Sequence, residues 1–81
     1  MPKIFEADGF KFFFFSNEGN PLEPCHIHVR KGEYLAKIWI EPEIRIESSY
    51  GFNSKELRFI EKQVRDNENI IKGKWNEYFN A

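Results

Sequence analysis

Cys25-His26-Ile27-His28-Val29-Arg30-Lys31-Gly32-Glu33-Tyr34-Leu35-Ala36-Lys37-Ile38-Trp39-Ile40 decides how this chain folds. Two runs alternate in character, Cys25–Arg30 and Tyr34–Ile40, and Lys31-Gly32-Glu33 breaks them. Alternation with a period of two is the mark of a strand, and a glycine between two such runs marks a hairpin. A two-residue turn at Lys31-Gly32 or at Gly32-Glu33 gives the same sorting of side chains. Ile27 and Val29 share a face with Ala36 and Ile38, while His26, His28 and Arg30 share the other with Leu35, Lys37 and Trp39.

Working back from the hairpin, Asn17-Glu18-Gly19-Asn20-Pro21-Leu22-Glu23-Pro24 is a loop, because its prolines, glycine and asparagines all favour turns. Before it, Phe10–Ser16 reads as a strand with Phe10, Phe12 and Phe14 on one face and Lys11, Phe13 and Phe15 on the other. Apolar residues on both faces predict a central strand. Residues 3–7 form a short strand joined to it through Asp8-Gly9, a hairpin dipeptide. Working forward, Pro42 stops the returning strand, and Ile44-Arg45-Ile46 adds a short edge strand.

Beyond the sheet the period changes. Asn53 is a good N-cap, Glu56 stands at the third helical position, and Phe52 with Leu57 makes a hydrophobic staple. Leu57, Ile60, Val64, Ile71, Trp75 and Tyr78 or Phe79 then recur at helical spacing. Asp66-Asn67-Glu68-Asn69 is a polar patch of weak helix formers, where two helices meet or one helix kinks. The expected fold is therefore α+β: a small antiparallel sheet of four or five strands in the N-terminal half, packed on two C-terminal helices or one kinked helix. The helical stripe needs an apolar surface, and the Ile27, Val29, Ala36, Ile38 face supplies it.

At 81 residues the chain is one domain, residues 1–81, with a modest core. A domain this small buries only about 60% of its unfolded surface. Nine Phe, three Tyr and two Trp are many for such a core, so some are expected at the surface, where a dimer contact or a partner protein would use them. A net charge of −1 is a poor footprint for bulk attraction to nucleic acid, but leaves room for a local basic site. The lone Cys25 and the lack of a signal-like apolar start point to the cytoplasm, and no run is long enough for a membrane.

Residues i and i+2 of a strand point the same way, so His26 and His28 project together and are the candidate acid–base pair. Arg30 and Lys37 on that face suit a phosphate, and Trp39, with Phe13 and Phe15, offers a surface for stacking a base. His26 and His28 are thus candidate catalytic residues; Arg30, Lys37 and Trp39 are candidate substrate-binding residues. The bland alternative is two polar side chains satisfied on a sheet face. A zinc site needs a third ligand, and Cys25 points to the opposite face of a regular strand. Glu23, Glu41 and Glu43 have no defined spacing, so no metal is expected. A histidine-triad hydrolase is rejected because Arg30 stands where a third histidine is needed. No phosphate loop, dinucleotide fingerprint or nucleophile elbow is present, and no cofactor is expected. Asp and Glu on the helices stand beside Lys and Arg and read as a solvated face.

Pro2 followed by Ile4-Phe5, the Phe-rich strand running into Ser16-Asn17-Glu18-Gly19, and Pro24-Cys25-His26-Ile27-His28-Val29 together resemble a family of small bacterial proteins. Gly51-Phe52, Leu57, Ile60, Val64 and Trp75-Asn76-Glu77-Tyr78-Phe79 extend the likeness to the end of the chain. The family is a domain of unknown function, numbered four thousand one hundred and sixty. Its members typically have a residue other than cysteine at position 25, which argues against a thiol role. The resemblance implies a small protein partner from the neighbouring gene, the two forming a toxin–antitoxin-like pair. It carries over no catalytic residue; it aligns the family's histidine pair with His26 and His28. The leading expectation is a protein-binding component of such a pair. The alternatives are a metal-independent ribonuclease or phosphodiesterase using the His-x-His pair, and a zinc-binding domain. A homodimer and RNA are further candidate partners.

Overall fold

A computed structural model describes residues 3–15 and 23–79. Five strands come first: β1 (Lys3–Ala7), β2 (Phe10–Phe13), β3 (His26–Lys31), β4 (Tyr34–Trp39) and β5 (Arg45–Tyr50). They pair antiparallel in chain order as one meander. Two helices follow, α1 (Ser54–Asp66) and α2 (Glu68–Phe79). The fold is α+β, with the sheet in the N-terminal half and the helices in the C-terminal half.

Local chemistry sets the turns. β1 and β2 are joined by Asp8 and Gly9, both at positive φ, the arrangement that a two-residue type I′ hairpin requires. Lys31 pairs with Tyr34, so Gly32-Glu33 is the turn of the central hairpin. His26 then faces Trp39, Ile27 faces Ile38, His28 faces Lys37 and Val29 faces Ala36. β2 ends at Phe13, earlier than the expected Ser16, which lies outside the described residues. Phe14 and Phe15 leave the ladder but keep alternating: Phe14 enters the core, and Phe15 packs on Phe13.

β5 departs most from expectation. It runs to Tyr50, well past Ile46, and nearly all of it is exposed. Glu47-Ser48-Ser49 carries no apolar alternation because an edge strand is held by backbone pairing to β4 rather than by burial. The register shifts between Lys37 and Ile38, which leaves Glu47 as the extra residue.

The core lies between the sheet and the helices. Phe10, Phe12, Phe14, Ile27, Val29, Ala36 and Ile38 from the sheet meet Ile60, Val64, Ile71 and Trp75 from the helices. Leu57 and Phe79 pack against this cluster, whereas Tyr78 is 53% exposed, so Phe79 continues the stripe. Asn53 Oδ1 accepts from the Glu56 N–H at 2.8 Å, and Glu56 Oε1 accepts from the Asn53 N–H at 3.0 Å, which completes the capping box. The helices meet at Asn67: its N–H donates to the Gln63 carbonyl at 3.1 Å, and its own carbonyl accepts from Ile71 at 3.0 Å.

Some aromatics do reach the surface, as expected, but they are tyrosines and not phenylalanines. None of the nine Phe is exposed, and the exposed aromatics among the described residues are Tyr34, Tyr50 and Tyr78. Both faces of the sheet absorb rings: Phe5 stacks on Phe12 at 4.3 Å inside, and Phe13 and Phe15 cover His28 on the other side.

Two glycines give opposite expectations. Gly51 has φ of 91°, and a Cβ there would overlap the Tyr34 ring. Gly51→Ala should therefore lose about 2 kcal/mol, or roughly 8–16 °C in melting temperature. Gly73 in α2 has nothing within 4 Å of an added Cβ, so Gly73→Ala should gain about 0.5–1 kcal/mol. Urea titrations of both variants check the signs. Asn53→Ala should cost about 1 kcal/mol in the same assay, with no change in slope, because it removes the cap and leaves the core alone.

Candidate functional site

β3 places His26 and His28 side by side, with ring centroids 5.2 Å apart. An acid–base pair needs rings open to a substrate, and these two are largely covered. His26 has no exposed surface, and His28 is only 8% exposed. The His26 ring lies 5.3 Å from Trp39, its cross-strand neighbour, and 5.0 Å from Trp75 of α2. Trp75 also meets Phe14 at 5.2 Å, so one indole joins the core to the end of the sheet and covers His26 on the way. His26 Nδ1–H donates to the Pro24 carbonyl at 3.0 Å, and the Glu23 carboxylate lies 3.8 Å away. This is the environment of a ring locked in place.

His28 has a different setting. Phe13 stacks near it at 5.8 Å and Phe15 meets it edge-on at 4.4 Å. It still borders an open groove of about 280 Å³, lined also by Phe15, Leu35, Lys37, Ser48 and Tyr50. The ladder explains this assembly. Phe13, His28, Lys37 and Ser48 form one row across β2, β3, β4 and β5, and Leu35 opposite Tyr50 forms part of the next.

Arg30 is elsewhere. Together with Lys3, Lys11 and Phe13 it lines a second groove, of about 200 Å³, between β1, β2 and β3. Arg30 and Lys37, which the sequence suggested would share one anion, thus face two separate grooves on the same side of the sheet. Lys37 Nζ leans 4.5 Å over the Trp39 ring and 3.4 Å from Glu23 Oε1. Trp39 Nε1–H donates to the Glu47 carboxylate. Trp39 therefore braces Lys37 and β5 from the end of the site; it does not line either groove.

Sequence reasoning passed over Lys3, Tyr50 and Ser48. Lys3 faces the site because it pairs with Phe13 across the β1–β2 hairpin. That placement depends on an irregular register between Lys3 and Phe5, which alternation does not reveal. Tyr50 escapes a sequence reading because Glu47-Ser48-Ser49 lacks the alternation that would carry the edge strand past Ile46.

Other chemistry finds little support. Cys25 is buried in the core, and burial pushes its thiol up to about 12, with the Glu41 carboxylate adding to the shift. A thiol held that high supplies almost no thiolate nucleophile near neutral pH. Among the described residues no three His, Cys, Asp or Glu side chains gather where they would hold a metal ion. Among those residues, too, no helix is long and apolar enough to cross a membrane.

No curated protein matches this chain, and no solved structure matches it. A family does: residues 9–76 match the domain of unknown function named DUF4160, a stretch holding β2 to β5, α1, most of α2 and both histidines. With so much of its length matched, the chain belongs to the DUF4160 family.

Proposed function

We propose that this protein binds a short single strand of RNA across the sheet face turned away from the helices. The observation that carries this reading is the pair of grooves on that one face, which together expose Lys3, Lys11, Arg30 and Lys37 beside aromatic rings. Arg45 extends the series, since it lies opposite Trp39 on the same side. The chain as a whole is slightly acidic, so this face is a local concentration of positive charge. Asp8, Glu33, Glu41 and Glu43 stand in turns and loops, while Glu6, Glu23 and Glu47 reach Lys3, Lys37 and Trp39 at the margins of the face. Cations track phosphates, and rings accept bases of any identity.

Each residue has a part in this reading. Tyr50, 70% exposed at the rim, stacks a base, with Phe15 as the opposite wall. Lys37 meets a phosphate; its partner Glu23 is well exposed, and a surface pair of that kind is worth about 0–1 kcal/mol, so it yields readily. Ser48 has a hydroxyl for a ribose 2′-OH. His26 acts through others, as a positioning residue that fixes Trp39 and His28.

Binding is favoured over cleavage by the burial of His26. General acid–base catalysis needs both groups within reach of the proton they move, and His26 has no exposed atom. The protein-partner reading keeps Tyr34, Tyr50 and Tyr78 as its exposed aromatics among the described residues, and β5 is an exposed edge strand, which suits addition of a partner's strand. In a toxin–antitoxin-like pair, the small protein from the neighbouring gene would be that partner, and the cytoplasm the setting.

Fluorescence anisotropy with labelled hexauridylate tests the proposal. About two phosphate contacts at a slope of about −0.7 each predict a roughly sevenfold loss of affinity between about 50 and 200 mM salt. Tyr50→Ala should lower affinity roughly tenfold, on the scale of one lost base stack. No saturable binding at about 50 mM salt, or equal binding by the wild type, Tyr50→Ala and Lys37→Ala, overturns it. A one-to-one complex with the neighbouring gene's product under those conditions would put the β5 reading in its place.

A further inference from the structure

We infer that the groove between β1, β2 and β3 is a subsite for a terminal phosphate, so that the protein recognises a strand end; this rests on the single-strand reading. Lys11 and Arg30 are direct cross-strand partners, and like charges placed opposite one another destabilise a sheet. Neither enters an ion pair among the described residues that would relieve the repulsion. Lys3 brings a third cation to the same groove. Three positive side chains stand around about 200 Å³ beside the Phe13 ring, and among the described residues only Lys3 has an ion-pair partner, Glu6 at 3.1 Å. An anion seated there would turn the repulsion into attraction.

The number of charges selects the anion. A bridging phosphodiester carries one negative charge. A terminal monoester carries about −1.5 to −2 near pH 7 and offers three acceptor oxygens. The neighbouring groove, by contrast, has Lys37 alone as its cation. A site with three cations beside a site with one suits a strand whose end carries the extra charge. Arg30 supplies the planar fork that grips two oxygens of one phosphate, and Lys3 and Lys11 supply mobile point charges.

The nearest competing carboxylate is Glu6, which pairs with Lys11 in the ladder and lies 3.1 Å from Lys3 Nζ. Its side chain is 42% exposed and that of Lys3 is 56% exposed. Such a pair is weak, and Glu6 does not line the groove, so a phosphate displaces it.

Competition binding with hexauridylate bearing a 5′-phosphate, a 3′-phosphate or neither tests this inference, with uridine monophosphates and inorganic phosphate as further probes. One phosphorylated oligomer should bind at least about tenfold more tightly than the unphosphorylated one, the scale of charge-assisted hydrogen bonds. Arg30→Met and Lys11→Met should abolish that advantage while keeping or raising the melting temperature, because a like-charge pair has gone. Glu6→Gln should enlarge it, an effect that a purely structural role for these cations would not produce. Equal binding of the three oligomers overturns the terminal-phosphate subsite and leaves the single-strand reading standing. Arg30-dependent binding of a uridine monophosphate or of inorganic phosphate without any gain from the oligomer keeps the subsite and removes the RNA strand. Failure of every probe removes both.

Discussion

The register of the β3–β4 ladder is the constraint on which everything else depends. It sends Ile27, Val29, Ala36 and Ile38 to the helices, and His28, Arg30, Leu35 and Lys37 to the other side. A slip of one residue would exchange those sets. The cost would be large, since burying each Val or Ile side chain is worth about 1.5–3 kcal/mol. The turn at Gly32-Glu33 and the apolar stripe of α1 and α2 therefore enforce one arrangement together. The cations on the far side are carried along by this choice: once the apolar set is inside, alternation leaves Lys11, Arg30 and Lys37 no other face.

That far side is itself layered. Phe13, Phe15 and His28 form a tightly packed patch in the middle of the sheet, and the charged chains rise around it. The patch divides the surface into two grooves. One has a single lysine, two serines and an exposed tyrosine; the other has three cations and a ring. His26 sits at the end of the patch, under Trp39 and Trp75, where its hydrogen bond to Pro24 ties the start of β3 to the chain entering it. The two imidazoles are neighbours in sequence and in space, yet one is a structural brace and the other borders solvent.

The central hairpin, the face of each Phe in β2, the capping box at Asn53 and the break near Asn67 were all legible in the sequence, because each rests on contacts within a few residues or on a strict period. The sealing of His26 was not, since it depends on Trp75, a residue from the opposite end of the chain whose spacing says only that it faces inward. The separation of Arg30 from Lys37 was hidden for a related reason: a shared face does not specify a shared groove, and Phe13 with His28 stands between them. Tyr50 escaped because β5 takes its order from β4 rather than from its own composition. Long-range packing and edge pairing are the parts that alternation leaves silent.

Chemical-shift mapping of the isotope-labelled protein during a titration with 5′- and 3′-phosphorylated hexauridylate decides whether this face of the sheet holds the strand. Lys11, Phe13, His28, Arg30, Lys37 and Tyr50, which line one side of β2 to β5, should shift, with α1 and the inward residues Ile27 and Ile38 nearly unmoved. Shifts concentrated on α1 or α2, or none at all at saturating oligomer, would contradict that placement.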